Sequence, residues 1–208
     1  MRTGGAASDI GPVDREVEAF LPTRSADFLA IGYRAVDTRS EHIALVLGDV
    51  AGKEDVLTRL HSVCLTGDVF GSLRCDCGVQ LEKSMDLIAE EGEGVIVYNP
   101  THEGRGTGLI DKLAAYRLQE QGFDTAEANE QIGHAVDARH YGVDAQILHD
   151  LQVASVRLLT NNPEKINQLR LYGIEVSGRV PLWVGENPHN RAYLETKETR
   201  LGHFGDRR

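Results

Sequence analysis

All three cysteines of the chain lie in one short window, HSVCLTGDVFGSLRCDCG, which runs from His61 to Gly78. Cys64, Cys75 and Cys77 have the spacing C-x10-C-x-C. Thiolates are good zinc ligands, and Gly78 would permit the backbone turn that lets Cys75 and Cys77 face one ion. Catalytic zinc sites keep one position for a water, which the ion acidifies to a pKa of about 7. The window favours an open zinc site, unless His61 closes it as a structural cage. Core thiols without a metal are the other alternative.

Three further segments carry cations in contexts that suit a phosphate. HEGRGTG lies between a predicted strand and a predicted helix, where glycines allow close approach to an anion and Arg105 can pair with it, although an ordinary strand-to-helix turn explains the segment equally well. DARHY offers Asp137 and Arg139, two residues apart, and this spacing alone favours a solvated surface pair. TNNPEK places Thr160 and Lys165 where a strand ends, which is where ligands gather in α/β sheets. This last segment favours a phosphate site.

Hydrophobic patterning predicts the elements that position these residues. Apolar and β-branched runs predict strands at DFLAIGYRAV, EHIALVLGDV, DVLTRLHSV, GVIVYNP, SVRLLT and IEVSGRV. Helical spacing predicts helices at VQLEKSMDLIAEEGEG, LIDKLAAYRLQEQGF, residues 143–151 and PEKINQLRLY. The last helix has Asn162 as its N-cap and Gly173 as its stop. The order predicts an α/β fold of three layers, a mixed sheet flanked by helices, with an antiparallel β-rich N-terminal third.

Composition excludes several classes of protein. The 208 residues are 41% hydrophobic, and no run reaches the roughly 18 apolar residues of a membrane span. The net charge of −10 argues against a nucleic-acid partner. Because the N-terminus lacks a secretory apolar region and the cysteine count is odd, we expect a cytoplasmic protein. We expect residues 1–18 to be a disordered leader and residues 19–208 to form one domain.

Seven ordered motifs resemble the GTP cyclohydrolase II family of riboflavin biosynthesis. They are RLHSVCLTGD, SLRCDCGVQLE, HEGRGTGL, DTAEAN, DARHYGVDAQIL, RLLTNNPEK and RVPLWVGENPHNRAYLETK. The resemblance implies a homodimeric hydrolase that uses Zn²⁺ and Mg²⁺. It converts GTP into formate, pyrophosphate and a diamino-ribosylamino-pyrimidinone phosphate.

The resemblance also implies roles for individual residues. Asp137 matches the family's proton acceptor, and Tyr116 matches a position near the base. Arg139 matches a proposed nucleophile toward the α-phosphorus, although a guanidinium there could instead only stabilise charge. The zinc ligands would be Cys64, Cys75 and Cys77. The nucleotide-binding positions would be Arg59, Gln80, Glu103, Gly104, Arg105, Thr125, Thr160 and Lys165.

Two residues depart from the family pattern. Val63 replaces the glutamate of His-Ser-Glu-Cys, and His102 stands where Gln is expected. Both changes fall in segments expected to bind the ligand, which favours a divergent paralogue. Two alternatives to GTP hydrolysis follow, namely a related cyclohydrolase or pyrophosphohydrolase on another purine nucleotide, and a catalytically silent structural zinc protein.

Overall fold

The computed structural model describes residues 11–133 and 137–205. Seven strands form one sheet in the order β1-β2-β3-β5-β4-β6-β7. The strands are β1 (Val13–Pro22), β2 (Asp27–Ala35), β3 (Glu41–Leu47), β4 (Val56–Ser62), β5 (Gly94–Asn99), β6 (Ser155–Leu159) and β7 (Glu175–Val180). The neighbours from β1 to β5 pair antiparallel, and those from β5 to β7 pair parallel. The two halves of the mixed sheet therefore meet at β5.

Seven described helices connect or flank these strands. They are α1 (Leu65–Asp68), α2 (Cys77–Glu91), α3 (Leu109–Glu120), α4 (Thr125–Gln131), α5 (Gly142–Asp150), α6 (Pro163–Leu171) and α7 (Arg191–Thr199). A short 3₁₀ segment, Pro100–Gly106, joins β5 to α3. In the part of the chain that is described, no helix has the length and apolar character that crossing a membrane requires.

Apolar side chains cover both faces of the sheet. Alternate residues of a strand point to opposite faces, so Val95 and Val97 pack on one face and Ile96 on the other. The first face buries side chains of α5 and α6, including Leu148 and Leu169. The second face packs against α2. The sheet is therefore the middle of three layers, which confirms the predicted fold class.

The predicted βαβ unit is present as β6, α6 and β7. β6 and β7 are parallel neighbours, and the Asn162 side chain accepts a 3.0 Å hydrogen bond from the Glu164 amide at the start of α6. Pro163 occupies the first helical position, where its missing N–H costs nothing. The local capping signals in the sequence thus fix where this helix begins.

The N-terminal boundary differs from the sequence-based expectation. β1 begins at Val13 and pairs with β2 over its length, so residues 13–18 belong to the sheet rather than to a leader. Residues 1–10 lie outside the described residues. Every residue of β1 after Val13 is exposed. A strand with no buried face lacks the alternation by which sequence reasoning finds strands.

Candidate active site

One pocket lies where the parallel strands end. β4 ends at Ser62, β5 at Asn99 and β6 at Leu159, and the segments that follow them converge on it. Such carboxyl ends are where ligands bind in open α/β sheets. Most of the predicted site residues line the pocket, namely Arg59, Cys64, Cys75, Cys77, Gln80, Gly104, Arg105, Tyr116, Thr125, Arg139, Thr160 and Lys165.

The three cysteines form a compact cluster at one side of the pocket. Cys64 precedes α1, Cys77 begins α2, and the three Sγ atoms all lie within 4.8 Å of one another. Cys64 Sγ and Cys75 Sγ are 3.5 Å apart. Thiolates bound at about 2.3 Å to a tetrahedral zinc ion stand about 3.8 Å apart. The cluster therefore has the donor set and spacing that fit a zinc ion with three protein ligands.

Two glycines allow the cysteines to approach one another. A Cβ on Gly67 would lie 2.8 Å from Cys75 Sγ and 3.2 Å from Cys64 Sγ. A Cβ on Gly78 would lie 2.4 Å from the Gly67 carbonyl oxygen. Neither position leaves room for a side chain without a shift of its neighbours. Gly78 thus permits the close packing of α2 against α1, rather than only a turn between Cys75 and Cys77.

His61 does not join the cysteine cluster. Its Nε2 lies 3.0 Å from Asp68 Oδ2, and its ring stacks on Tyr98. The same Asp68 oxygen accepts hydrogen bonds from the Cys64 amide and the Tyr98 hydroxyl. Among the described residues, the groups placed to hold a metal are the three cysteines alone. The closed Cys3His cage is therefore not what this geometry favours.

Lys112, on α3, places a positive charge against the cluster. Its Nζ donates to Cys64 Sγ at 3.0 Å and to Glu103 Oε1 at 2.7 Å, and Glu103 Oε2 accepts a hydrogen bond from the Leu65 amide. The neighbouring cysteine sulfurs, and then Lys112, lower the pKa of Cys64. Glu103 does not line the pocket itself but holds Lys112, which does.

Two buried cations face the pocket without a carboxylate at ion-pair distance in the described ranges. Arg59 donates to the Leu159 carbonyl oxygen and to Gln80 Oε1, and its Nε has no partner. Lys165 donates to the Leu60 carbonyl oxygen at 2.6 Å. Burial lowers the pKa of both groups. A buried cation that lacks an anion is costly, and a bound anion would remove that cost.

Asp137 and Arg139 form a two-pronged ion pair at the pocket wall. Arg139 Nε donates to Asp137 Oδ1 at 2.8 Å and Nη2 donates to Oδ2 at 2.5 Å. Arg139 Nη1 lies 3.3 Å from the Ser62 hydroxyl. Burial would raise the pKa of Asp137, but the Arg139 guanidinium outweighs burial and lowers it. The two residues do pair, but not as the solvated surface pair that their spacing favoured, since the Arg139 side chain is only 12% exposed and lines the pocket.

The glycine-rich segment bends sharply beside this ion pair. Gly104, Arg105 and Gly106 all have positive φ, and the Arg105 carbonyl oxygen accepts a hydrogen bond from the Ala138 amide. A non-glycine residue in the left-handed region is strained by about 1 kcal/mol or more. Such strain persists where the surrounding structure imposes it. Here it brings Arg105 to the pocket next to residues 137–139.

Tyr116, expected near the base, lies on α3, and Thr125, expected to bind the nucleotide, lies on α4. The Tyr116 ring carries the Arg74 guanidinium 4.4 Å from its centroid, and its hydroxyl lies 3.5 Å from Thr66 Oγ1. Thr125 begins α4, and its Oγ1 lies 3.4 Å from Gln119 Nε2. Burial raises the pKa of Tyr116 to about 12, so its hydroxyl keeps its proton and can donate it in a hydrogen bond.

The two departures from the family pattern have different environments. Val63 presents an apolar side chain to the pocket. His102 also lines the pocket, but its Nδ1 lies 3.1 Å from the Ser62 hydroxyl and its Nε2 lies 3.1 Å from the His140 carbonyl oxygen. Burial lowers the pKa of His102 to about 3, so the ring is neutral. Both of its nitrogens are engaged within the protein.

Several pocket residues carried no sequence signal. Lys112 and Lys197 are single lysines on helices, which sequence reasoning assigns to solvent. The others are Arg74, Asp76, Trp183, Tyr193 and His203. The motif RVPLWVGENPHNRAYLETK contains Trp183, Tyr193 and Lys197, but its residue types suggested no role. The packing of α7 against the pocket identifies Tyr193 and Lys197, and the segment between β7 and α7 brings Trp183 to it.

Comparison with known proteins agrees with the family that the sequence motifs resemble. The family model described as GTP cyclohydrolase II matches residues 14–181. The riboflavin biosynthesis protein RibBA of Salinispora tropica is 56% identical over 192 residues, which is 92% of this chain and 48% of that protein. RibBA of Bacillus subtilis is 55% identical over 193 residues, which is 92% of this chain and 48% of that protein. The chain thus spans about half the length of these relatives.

A solved structure supports the fold. RibBX of A. baumannii, a two-domain 3,4-dihydroxy-2-butanone 4-phosphate synthase, matches with a TM-score of 0.52 at 22% sequence identity. The match covers 84% of this chain and 42% of that one. At this identity the likeness concerns the fold alone.

Proposed function

Since this chain belongs to the GTP cyclohydrolase II family, we propose that it is a zinc-dependent hydrolase that opens the imidazole ring of GTP at C8. The products are formate, pyrophosphate and a diamino-ribosylamino-pyrimidinone phosphate. The proposal rests on one observation. A cluster of three cysteines opens on the same pocket as two buried cations that have no carboxylate partner at ion-pair distance among the described residues. The pocket thus combines a metal site with an anion site.

The zinc ion would be held by Cys64, Cys75 and Cys77. With a fourth position free, such an ion supplies a water that ionises near neutral pH. Lys112 donates to Cys64 Sγ and offsets the negative charge of three thiolates. Asp68 fixes the backbone of the first ligand by accepting from the Cys64 amide. These residues hold the zinc ligands in place.

The phosphates would lie against the cations on the other side of the pocket. Arg59 and Lys165 are buried there, and Arg105 and Arg139 line the same wall. A chain with net charge −10 can bind a triphosphate in this way, since the field inside a cleft depends on its local charges. Mg²⁺ would accompany the triphosphate and share the neutralisation of its charge.

Asp137 is proposed to accept a proton, since its pairing with Arg139 keeps it ionised. Burial opposes the charge of Arg139, but Tyr141 and Asp137 raise its pKa above the ordinary value. A guanidinium so firmly protonated is a poor nucleophile. This supports a role for Arg139 in stabilising charge at the α-phosphate rather than in attacking it.

Product analysis tests the proposal directly. The purified, zinc-loaded chain is incubated with GTP and Mg²⁺, and formate and pyrophosphate are assayed separately. We expect both products. Cys75→Ser, which removes a zinc ligand, should stop formate release, whereas Lys53→Met, which breaks a surface ion pair with Glu93, should not. Absence of both products from wild-type protein with stoichiometric zinc would refute the proposal.

A second substrate is favoured by Val63. An apolar side chain in the pocket wall cannot accept a hydrogen bond from the amino or ring N–H groups of guanine, and such polar mismatches strongly affect specificity. The alternative is therefore a related hydrolysis of another purine nucleotide. A panel of purine triphosphates with mass-spectrometric product identification, run on wild type and Val63→Glu, tests it. An identical preference order in the two proteins would count against this alternative.

A further inference from the structure

Four side chains with little exposure to solvent form a continuous chain of hydrogen bonds along the pocket wall. Lys197 Nζ donates to Asp76 Oδ1 at 2.7 Å, and Gln80 Nε2 donates to Asp76 Oδ2 at 2.6 Å. Arg59 Nη2 then donates to Gln80 Oε1 at 2.6 Å. We call this chain from Lys197 to Arg59 the relay. None of its four members is more than 12% exposed, so solvent does not compete for its bonds.

The relay has one member at each of the two proposed ligand sites. Asp76 lies between Cys75 and Cys77, so its backbone moves with two of the proposed zinc ligands. Arg59, at the other end, faces the part of the pocket proposed to bind phosphate. Lys197 comes from α7, beyond the part of the chain that the family model matches. The relay therefore joins the cysteine cluster to the anion site through Gln80 of α2, and Lys197, on a C-terminal helix, holds the Asp76 carboxylate.

The chemistry of the relay allows one arrangement. Lys197 Nζ donates to one oxygen of the Asp76 carboxylate, and the other oxygen accepts from Gln80, so the Gln80 amide turns its NH₂ group toward Asp76. This leaves Gln80 Oε1 toward Arg59, where it accepts from the guanidinium. Gln80 Nε2 also donates to the Leu182 carbonyl oxygen at 3.4 Å, so if Asp76 moves, Gln80 loses the shorter of the two bonds that hold this orientation. A Gln80 NH₂ group facing Arg59 would place donor against donor.

We infer that the relay couples metal occupancy of the cysteine cluster to anion binding at Arg59, with Lys197 and Asp76 as positioning residues. The inference rests on the proposed function for the identity of the two ligands. A metal on Cys75 and Cys77 fixes the backbone of Asp76, which fixes Gln80 and hence the Arg59 guanidinium. An anion then binds a group that is already ordered. By linkage, the anion must tighten metal binding by the same factor.

Binding measurements with two simple probes test this coupling. The dissociation constant of inorganic pyrophosphate is measured by calorimetry on zinc-free and zinc-loaded protein, and zinc affinity is measured by competition with a chelator. In the wild type, zinc should tighten pyrophosphate binding by roughly 5-fold or more. In Lys197→Met and in Gln80→Leu, this ratio should fall toward one. Zinc affinity should fall roughly 10-fold in Gln80→Leu as well, as found for residues behind metal ligands.

Matched variants separate coupling from general damage. Lys53→Met also removes a lysine from a carboxylate pair, far from the relay, and should keep the wild-type ratio. Lys197→Arg keeps the charge and should restore most of it. The double variant of Lys197 and Gln80 should be no worse than the more affected single variant, because each breaks the same chain. If Lys197→Met does not fold, Gln80→Leu tests the coupling without it.

The results that overturn the inference are specific. A wild-type ratio near one, a ratio unchanged in Gln80→Leu, or strictly additive effects in the double variant would each do so. The proposed function fails separately, since it requires formate and pyrophosphate from GTP. A protein that shows the coupling but forms neither product would keep the relay and lose the activity.

Discussion

Gly67 is the position where a single added methyl group tests the geometry of the cysteine cluster. A Cβ there would lie 2.8 Å from Cys75 Sγ, 3.2 Å from Cys64 Sγ and 3.3 Å from Cys77 Cβ. Gly67 lies within α1, so alanine would otherwise favour the helix by roughly 0.5–1 kcal/mol. In metal-free Gly67→Ala the thiols can rotate away from the added methyl group. The crowding that remains and the gain in helix propensity then largely cancel. With zinc bound, the sulfurs cannot move.

The expected effect is therefore on zinc affinity and not on the fold. Overpacking of a fixed site typically costs about 1–3 kcal/mol, which corresponds to a loss of about 5- to 150-fold in affinity. Zinc affinity is measured by chelator competition, and the free energy of unfolding of zinc-free protein by urea titration. Gly178→Ala is the matched control, since its Cβ would meet only Arg157 Cγ, at 3.8 Å.

Two results would refute this reasoning. If Gly67→Ala binds zinc as tightly as the wild type, the sulfurs do not hold the ion where the cluster places them. If the zinc-free variant loses as much stability as the zinc-loaded one, the methyl group disturbs the packing of α1 against α2 and says nothing of the metal.

Three further variants probe charged groups around the pocket. Lys112→Met should weaken zinc binding by roughly 10- to 100-fold in chelator competition, because Cys64 loses a charged donor, while Lys53→Met should not. Lys165→Met should weaken pyrophosphate binding by roughly 10- to 100-fold in calorimetry, yet leave the urea midpoint unchanged or higher, since it removes a buried cation that has no carboxylate partner in the described ranges. Burial raises the pKa of Asp144 from 3.8 to about 6, so the folded carboxyl keeps a proton that the unfolded one loses, and stability falls as pH rises from about 4 to 6. Asp144→Asn should remove this loss, on the order of 3 kcal/mol in urea titrations at the two pH values; equal pH dependence in both proteins would contradict it.

The parts of the fold that the sequence predicted are those where burial and capping act locally. β2 alternates buried and less buried residues, and α6 carries Asn162, Pro163 and Gly173 at its ends. α4 also carries one, a capping box in which the Asp124 and Glu127 side chains each accept a hydrogen bond from the other's amide, but β1 and α7 lack such signals. β1 has no buried face, and α7 buries only Leu194 and Thr196. Their positions are set by the neighbours they meet, which one sequence does not reveal.

The site residues also divide into those that local sequence predicts and those that only distant contacts define. Cys64, Cys75 and Cys77 were predicted from spacing, because ligands close in sequence can be recognised together. Lys112 and Lys197 could not be found so, since each acts through a partner distant in sequence, Cys64 for one and Asp76 for the other. Sequence also left open whether His61 closes the metal site. Its bond to Asp68 decides the geometry, and that contact depends on how β4 meets α1.

The cysteine cluster also lies within the connection between two parallel strands. β4 and β5 are parallel neighbours, so residues 63–93 must cross over the sheet to join them, and the three cysteines lie in the first half of that crossover. An ion that ties Cys64 to Cys77 shortens the open loop by about half, which is worth only about 0.6 kcal/mol in closure entropy. The metal–ligand bonds themselves are worth far more, about 10–16 kcal/mol in small zinc domains. Loss of the ion would therefore weaken the anchoring of the parallel half of the sheet. The hairpins of β1, β2 and β3 would still form without it.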